Sequence, residues 1–299
     1  MSFNVSGLSQ WVENNRKEIA VKAVASAKFA KLLIENKRVI SGVKTREAIR
    51  LMDTDVTVQD GSSCGRNPLG STTLTEKFID VKPMKDEQDF CAKSLRNTVF
   101  AEFLQKGQAP AEEISSELSQ AIMDYRSAKI SAKIEDILWS SDTAATGSTG
   151  MNLIDGVKKQ VGVGTAITAT GSTIIAKLQS AYLQMPVVYR TQEDFRIFIG
   201  EDQYEEYLVA LDNANSFRET NAGVLKGTTA KLFPTPGLNG SDKVYMTRIS
   251  NFVLGMDGEG DQDYAEFKLS DETKKHYMDF HWAVGVKVIT TTEVGVATI

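Results

Sequence analysis

The longest helical pattern in the chain runs from Pro110 to Trp139. Pro110 suits the first turn of a helix, where its missing N–H costs nothing, and Glu112 and Glu113 follow at the positive end of the helix dipole. At 1.5 Å per residue the helix is expected to be roughly 40 Å long. An ordinary long helix in an α+β core fits the same pattern, so this segment alone does not decide the architecture.

Apolar residues in this segment fall on two opposite faces. The set in the first half comprises Ile114, Leu118, Ala121, Tyr125, Ala128 and Ala132. The set in the second half comprises Ile130, Ile134, Ile137 and Leu138. We therefore expect a helix that is covered from both sides towards its C-terminal end, with Ile130 and Ile134 buried opposite Leu118 and Tyr125.

A second amphipathic helix is predicted from Leu8 to Asn36. Its apolar stripe is formed by Leu8, Val12, Ile19, Ala23, Ala27, Ala30 and Ile34. Because a lone amphipathic helix must pack on something, this one lies either on the core of its own subunit or on a neighbouring molecule. The pattern leaves both alternatives open.

Residues 43–83 have the pattern of a long β-hairpin. Two extended, β-prone segments flank a tip rich in Gly, Ser and Asn that runs from Asp60 to Gly70. Neither face of the two arms is cleanly apolar, so the hairpin has little core of its own and is only marginally stable alone. We expect it to lie on another subunit; the alternative is a surface hairpin on its own domain.

The rest of the chain alternates between helical and extended patterns. Helices are predicted at Asp86–Gln105, after a Ser172 cap, and at Glu201–Asn213, and a small-residue loop at Ser140–Gly150 marks a domain boundary. The predicted strands are Phe195–Ile199, Val244–Thr247, Phe252–Gly255, Tyr264–Leu269 and a last strand from His281 towards Thr291. The fold class that follows is α+β, with an α/β module in the middle of the chain.

Composition indicates a globular protein with no strong electrostatic preference for nucleic acid. The 299 residues are 41% hydrophobic and 24% charged, with a formal net charge of −5. No basic block dominates, so tight phosphate binding is not indicated. Cys64 and Cys91 lack the spacing of a redox or zinc motif and are expected to stay reduced in the cytosol.

Candidate chemistry is sparse. His276 and His281 are five residues apart, which suits one face of neither a helix nor a strand, and polar surface is the expected role of both. The acidic residues Asp257 to Asp263 resemble a calcium loop in spacing, but Gln262 stands where the turn glycine belongs. We therefore predict no catalytic residue, no cofactor and no metal.

The order of these elements resembles the tailed-bacteriophage major capsid protein, the Hong Kong-97 fold. The better-matching stretches are Met185 to Arg190 leading into the strand at Phe195, then Phe252 to Asp257, and His281 to Ile289. The resemblance covers nearly the whole chain, although its motifs are patterns rather than signatures.

The resemblance implies a Hong Kong-97-type organisation for this sequence. Residues 1–42 would be the N-terminal arm and 43–83 the extended loop. Residues 84–150 and 245–299 would form the peripheral domain, with the long helix as its spine, and 151–244 the inserted α/β axial domain. The loop tip would meet a neighbouring subunit through Arg66, Asn67 and Leu69, with Lys77 also on the hairpin. Some members crosslink Lys to Asn between subunits, but no partner for Lys77 is identifiable, so no crosslink is expected.

The implied function is that of a capsid subunit that assembles as hexamers and pentamers around double-stranded DNA held by confinement. The implied partners are a separate scaffolding protein, a portal and decoration proteins, without a membrane, in a virion made in host cytoplasm. An encapsulin-type compartment shell and an α/β enzyme with an unrecognised site are the alternatives.

Overall fold

The computed structural model describes residues 23–61, 65–66, 68–91, 116–147, 150–214, 223–257, 264–270, 272–273 and 275–299. Their helices are α1 (Lys28–Glu35), α2 (Ser116–Ser140), α3 (Val157–Val161), α4 (Ile174–Gln184), α5 (Val187–Arg190) and α6 (Glu201–Asn213). Short 3₁₀ turns occupy Pro236–Leu238, Ile249–Asn251 and Thr291–Glu293.

The first sheet is built around one long strand. Its members are β1 (Val39–Ser41), β4 (Lys82–Phe90), β9 (Phe252–Met256), β10 (Tyr264–Leu269) and β11 (His276–Val288). β11 pairs antiparallel with β4, β9 and β10, and β1 adds in parallel to β9. Along the second half of β11, Trp282, Val284, Val286 and Val288 are buried as predicted.

The second sheet has the order β5-β12-β8-β6-β7. Its members are β5 (Thr165–Ile167), β6 (Phe195–Gly200), β7 (Lys231–Thr235), β8 (Lys243–Arg248) and β12 (Gly295–Thr298). Helices α4 and α6 cover it with the buried side chains of Leu178, Tyr207 and Leu211. The predicted α/β module is therefore present.

The hairpin predicted between residues 43 and 83 is also present. Strands β2 (Arg46–Thr54) and β3 (Thr72–Asp80) pair antiparallel over nine residues each, from Arg46 opposite Asp80 to Thr54 opposite Thr72.

Four aromatic rings join the N-terminal helix to the body of the protein. Phe29 of α1 lies 4.8 Å from the ring of Trp139 on α2, 5.8 Å from Phe198 on β6 and 5.2 Å from Phe252 on β9, between ring centroids. All four rings are fully buried. Of the two alternatives left open for the amphipathic N-terminal helix, its described part therefore packs on the core of its own subunit; residues 8–22 lie outside the described residues.

The long helix α2 is buried on one of its two predicted apolar faces. Ile130 and Ile134 are buried as predicted, and the burial of Trp139 confirms the wider covering towards the C-terminal end. The prediction for the other face is wrong where it can be checked, because Ala128 and Ala132 are exposed and Tyr125 is 68% exposed. Alanine has a high helix propensity whether or not its side chain is buried. The alanines at 128 and 132 therefore indicated a helix but not a buried face. The side chains predicted on that face at Ile114, Leu118 and Ala121 lie outside those that the structure describes.

Residues predicted to begin a helix at Asp86 belong instead to strand β4. Met84 is buried, whereas Lys85, Glu87 and Asp89 are exposed, which is the two-residue period of a strand with one solvent face. The remainder of that predicted helix, from 92 to 105, lies outside the described residues.

Smaller predictions also need correction. Helix α4 is capped by Thr173, whose hydroxyl accepts the Ala176 N–H at 3.3 Å, and not by Ser172. His276 is 2% exposed, so it is not polar surface, and the last long strand begins at His276 instead of His281. Of the acidic loop, Asp257 is buried and 258–263 lie outside the described residues.

The predicted domain boundaries stay a prediction, and the strands from residue 243 onwards divide between the two sheets. β8 extends to Arg248 and β12 lies near the C-terminal end of the sequence, yet both belong to the second sheet. The segment 245–299, predicted to lie in one domain, therefore contributes strands to both sheets. β12 belongs to the second sheet because it pairs with β5 on one side and with β8 on the other.

Candidate inter-subunit surface

The hairpin rests on the first sheet at two glycines. A Cβ atom built on Gly285 of β11 would lie 2.1 Å from the carbonyl oxygen of Asp80, and one on Gly255 of β9 would lie 2.6 Å from a methyl of Val81. Ile79 and Val81, at the end of β3, are fully buried. Glycine within a strand permits this close approach of another backbone. We call residues 46–49 and 77–80, next to these glycines, the proximal half of the hairpin.

One polar contact adds to this attachment, and others hold the two strands of the hairpin together. The Lys77 ammonium group donates a hydrogen bond to the carbonyl oxygen of Ile289, just beyond β11. Arg46 Nε lies 2.7 Å from Asp80 Oδ1 across the strand pair, and the Arg46 guanidinium lies 5.0 Å from the ring centre of Phe78. The proximal half is therefore attached to its own subunit by buried apolar side chains and by the hydrogen bond from Lys77.

The distal half, residues 50–76, presents apolar side chains to solvent. Val58 is 92% exposed, and Met52 and Leu74, which face each other across the strands, are more than two-thirds exposed. The exposed large apolar side chains of this half are Met52, Val56, Val58, Leu69 and Leu74. Contiguous exposed apolar surface on a soluble protein marks a site of interaction.

Charges accompany these apolar residues. The same half carries three exposed carboxylates, those of Asp53, Asp55 and Asp60. It also carries an ion pair across the strands, in which Arg50 Nε lies 3.6 Å from Glu76 Oε1. The distal half can thus offer both an apolar surface and carboxylates to a partner.

The structure separates the residues predicted to meet a neighbour. Arg66 and Leu69 are exposed in the connection between β2 and β3, and Asn67 lies outside the described residues. Lys77 lies in the proximal half and contacts its own chain. A role for these four residues at a subunit boundary stays a prediction.

The sequence analysis judged neither face of the arms cleanly apolar and did not single out the apolar side chains on them as a contact surface. Met52, Val56 and Val58 are all at even positions of one extended segment, which is the spacing of residues on one face of a strand. This spacing can be seen in the sequence, but the polar residue Thr54 lies on the same face and makes the face look mixed. The two glycines under the hairpin gave no such signal, because nothing local distinguishes a glycine that a distant strand approaches.

Chemistry elsewhere is limited in the described part of the chain. No group of three or more His, Cys, Asp or Glu residues there is arranged to hold a metal ion. None of the described helices combines the length and hydrophobicity needed to cross a membrane.

A polar cleft of about 620 Å³ borders α4 and α6. The Asp202 carboxylate in its wall accepts backbone N–H groups of Gln203 and Gly240, each at 2.9 Å. This carboxylate therefore fixes the loop that follows the 3₁₀ turn at Pro236–Leu238.

Comparison with solved structures identifies the architecture. A chain of the satellite phage P4 procapsid, a structure that includes the size determination protein, superposes with a TM-score of 0.58 at 10% identity, covering 94% of this chain and 98% of the other. The capsid of an empty GTA particle superposes with a TM-score of 0.56 at 8% identity, covering 89% of both chains. The capsid of cyanophage A-1(L) superposes with a TM-score of 0.54 at 12% identity, covering 95% of this chain and 93% of the other.

No protein-family model and no curated protein sequence matches the chain. At these identities the likeness lies in the fold, and it extends over nearly the whole length of the molecule. The chain has the Hong Kong-97 fold of tailed-bacteriophage major capsid proteins, as the sequence predicted.

Proposed function

We propose that the protein is the major capsid subunit of a tailed bacteriophage, which assembles as hexamers and pentamers into a closed head around double-stranded DNA. The observation that carries the proposal is the hairpin: its proximal half is attached to its own subunit through the buried side chain of Ile79, and its distal half exposes Val58, Met52 and Leu74. A neighbouring copy is the occupant that this surface fits, since every copy in a shell both presents the hairpin and receives one.

The fold and the charge agree with this proposal. The capsid proteins with the same fold support a structural role without catalysis. The net charge of −5 suits DNA held by confinement, because a shell that encloses DNA needs no tight phosphate site. A scaffolding protein, a portal and decoration proteins complete the proposed set of partners, and the virion is the proposed location. Under the same proposal, residues 84–150 with the first sheet correspond to the peripheral domain and the second sheet to the axial domain.

The test compares assembly of two full-length forms. In the variant, residues 56–70 are replaced by Asn-Gly. The Asp55 N–H already donates to the Ser71 carbonyl oxygen at 2.9 Å, so these two positions suit the flanks of a two-residue turn. Sedimentation velocity and negative-stain electron microscopy should show closed particles for the natural sequence. The variant should keep its circular dichroism spectrum but lose the particles, because a deficit of ~1 kcal/mol per contact is multiplied over every copy.

A control variant, Val163→Ser, removes an exposed valine outside the hairpin and should still assemble. Normal particles from the shortened hairpin would show that its tip is a passive loop. A natural sequence that stays monomeric or dimeric in the presence of its scaffold and portal would contradict the capsid proposal. Particles isolated from producing cells that protect cargo protein but no double-stranded DNA would indicate a cellular compartment instead.

A further inference from the structure

Glu135 of α2 is a buried carboxyl group where three parts of the subunit meet. Glu135 is only 1% exposed to solvent. Oε2 accepts a hydrogen bond from the backbone N–H of Phe29 at 2.9 Å, and Oε1 accepts one from the hydroxyl of Thr235, the last residue of β7. One carboxyl group therefore connects the N-terminal helix, the long helix and the second sheet.

The contact to Phe29 supplies what helix α1 lacks. Its N-cap residue is Ala27, which has no side-chain acceptor, and its first turn contains no acidic residue. Phe29 is the second residue of α1, so its N–H is among the first-turn donors that have no acceptor inside the helix. Glu135 provides both a hydrogen-bond acceptor and negative charge at that N-terminus, from a different helix.

The surroundings of Glu135 favour its neutral form. Burial raises the pKa of Glu135, against the opposing effects of the hydrogen bonds from Thr235 and Phe29. Lys28 on α1 also opposes the rise, but it is half-exposed and already paired with Glu201 of α6. Asp136, the next residue of α2, adds to the rise. The two direct donors are neutral groups, and a fully buried carboxylate with only neutral donors carries a large desolvation cost.

Both protonation states fit the same contacts. A neutral carboxyl group keeps accepting the Phe29 N–H on one oxygen and donates its own proton to the Thr235 hydroxyl oxygen from the other. Protonation therefore removes the buried charge without breaking the connection between the three elements.

We propose that Glu135 is a proton-responsive latch for the N-terminal arm, which holds α1 on the subunit more firmly when this carboxyl group is neutral and lets it detach locally when the group ionises. The proposal concerns the single subunit, so it goes beyond the proposed function and does not depend on assembly. The docked arm binds more protons than the detached arm, because detachment returns Glu135 to water. Docking is therefore strongest below the ordinary pKa of Glu, 4.5, and weakens as the pH rises through the raised value.

Hydrogen exchange of the full-length protein, followed by mass spectrometry over a series of pH values, tests the latch. After correction for intrinsic exchange, protection of residues 28–35 should fall with rising pH by up to about tenfold per pH unit within the window, the limit for one linked proton. Peptides from α4 should keep constant protection over the same range, because the buried side chains of α4 belong to a different hydrophobic cluster from Phe29.

Two variants separate the proton from the packing. Glu135→Gln keeps an oxygen to accept from Phe29 and an N–H to donate to Thr235, so its protection at residues 28–35 should be high and independent of pH. Asp124→Asn removes an exposed carboxyl group about three turns earlier on the same helix and should retain the natural pH dependence.

Three results would overturn the latch. Protection at residues 28–35 could be independent of pH in the natural sequence, or Glu135→Gln could retain the natural slope. Loss of protection could also spread equally to α4, which would mean that Glu135 sets global stability. If Glu135→Gln fails to fold, Thr235→Val provides the test instead. Loss of the Thr235 hydroxyl removes an effect that opposes the rise of the Glu135 pKa, so the fall in protection should extend to a higher pH than in the natural sequence, and an unchanged profile contradicts the proposal.

Discussion

The proximal and distal halves of the hairpin are made of the same two strands but have different surroundings. Ile79 is fully buried, whereas Thr75, four residues earlier on the same face of β3, is exposed. The strand pairing continues without interruption through both positions. What changes is the surface below: the proximal half has Gly255 and Gly285 beneath it, and the distal half extends past the first sheet. The sheet-facing side of the hairpin is thus buried only as far as the supporting sheet extends, while Met52 and Leu74 lie on the opposite side and remain available to another subunit.

The largest expected difference between the halves comes from side-chain truncation. Ile79→Ala should lower the free energy of unfolding by about 3 kcal/mol, because it removes buried methylenes and leaves a cavity. Leu74→Ala, which truncates an exposed apolar side chain on the other face of the same strand, should alter it by less than about 0.5 kcal/mol. Denaturant unfolding of the two unassembled variants measures both values. Similar losses from both would mean that the distal half is also part of the subunit core.

A smaller loss is expected from filling the space between hairpin and sheet. Gly285→Ala would place a methyl group against the backbone oxygen of Asp80, and backbone cannot rotate away as a side chain can. We expect a destabilisation of about 2 kcal/mol, typical of overpacking. Gly61→Ala is the control, since nothing lies within 4 Å of a Cβ at that position. Thermal unfolding of the two variants should differ clearly, and equal midpoints would contradict the close approach.

The smallest expected effect concerns the hydrogen bond from Lys77. Lys77→Met keeps the length of the side chain and removes the donor to Ile289, which should cost about 1 kcal/mol. Lys82→Met, at an exposed position on β4, serves as the reference and should be near neutral. If Lys77→Met leaves unfolding unchanged but weakens assembly, then Lys77 works at the subunit boundary, as the sequence analysis predicted for it.

The hairpin could be predicted from the sequence because its determinants are local. Extended segments around the tip at 60–70 follow from strand propensity and turn residues. The close approach at Gly285 depends on a strand more than 200 residues earlier, and no local pattern reports it. The sequence therefore predicted that the hairpin exists and not where its attachment ends.

The other outcomes divide in the same way. Helix α6 begins and ends at the predicted residues, Glu201 and Asn213, because a strand ending in Gly200 and an acidic first turn are local signals. Strand β4 was misassigned because its charged residues, such as Lys85 and Glu87, suit an exposed helix as well as an exposed strand face. Only the pairing with β11 decides between them.

The position of β12 has a consequence for folding. This strand, Gly295–Thr298, lies between β5 and β8 in the second sheet. Its partner β5 is about 130 residues earlier in the sequence. Contacts so distant in sequence close slowly, because the loop entropy must be overcome before pairing contributes any stability. We therefore expect β5 to gain its pairing with β12 late in folding, after the two strands of the hairpin have paired with each other. A subunit completed in this order keeps an open sheet edge until its final strand docks, so this step sets the interval in which the nascent chain is most exposed to aggregation.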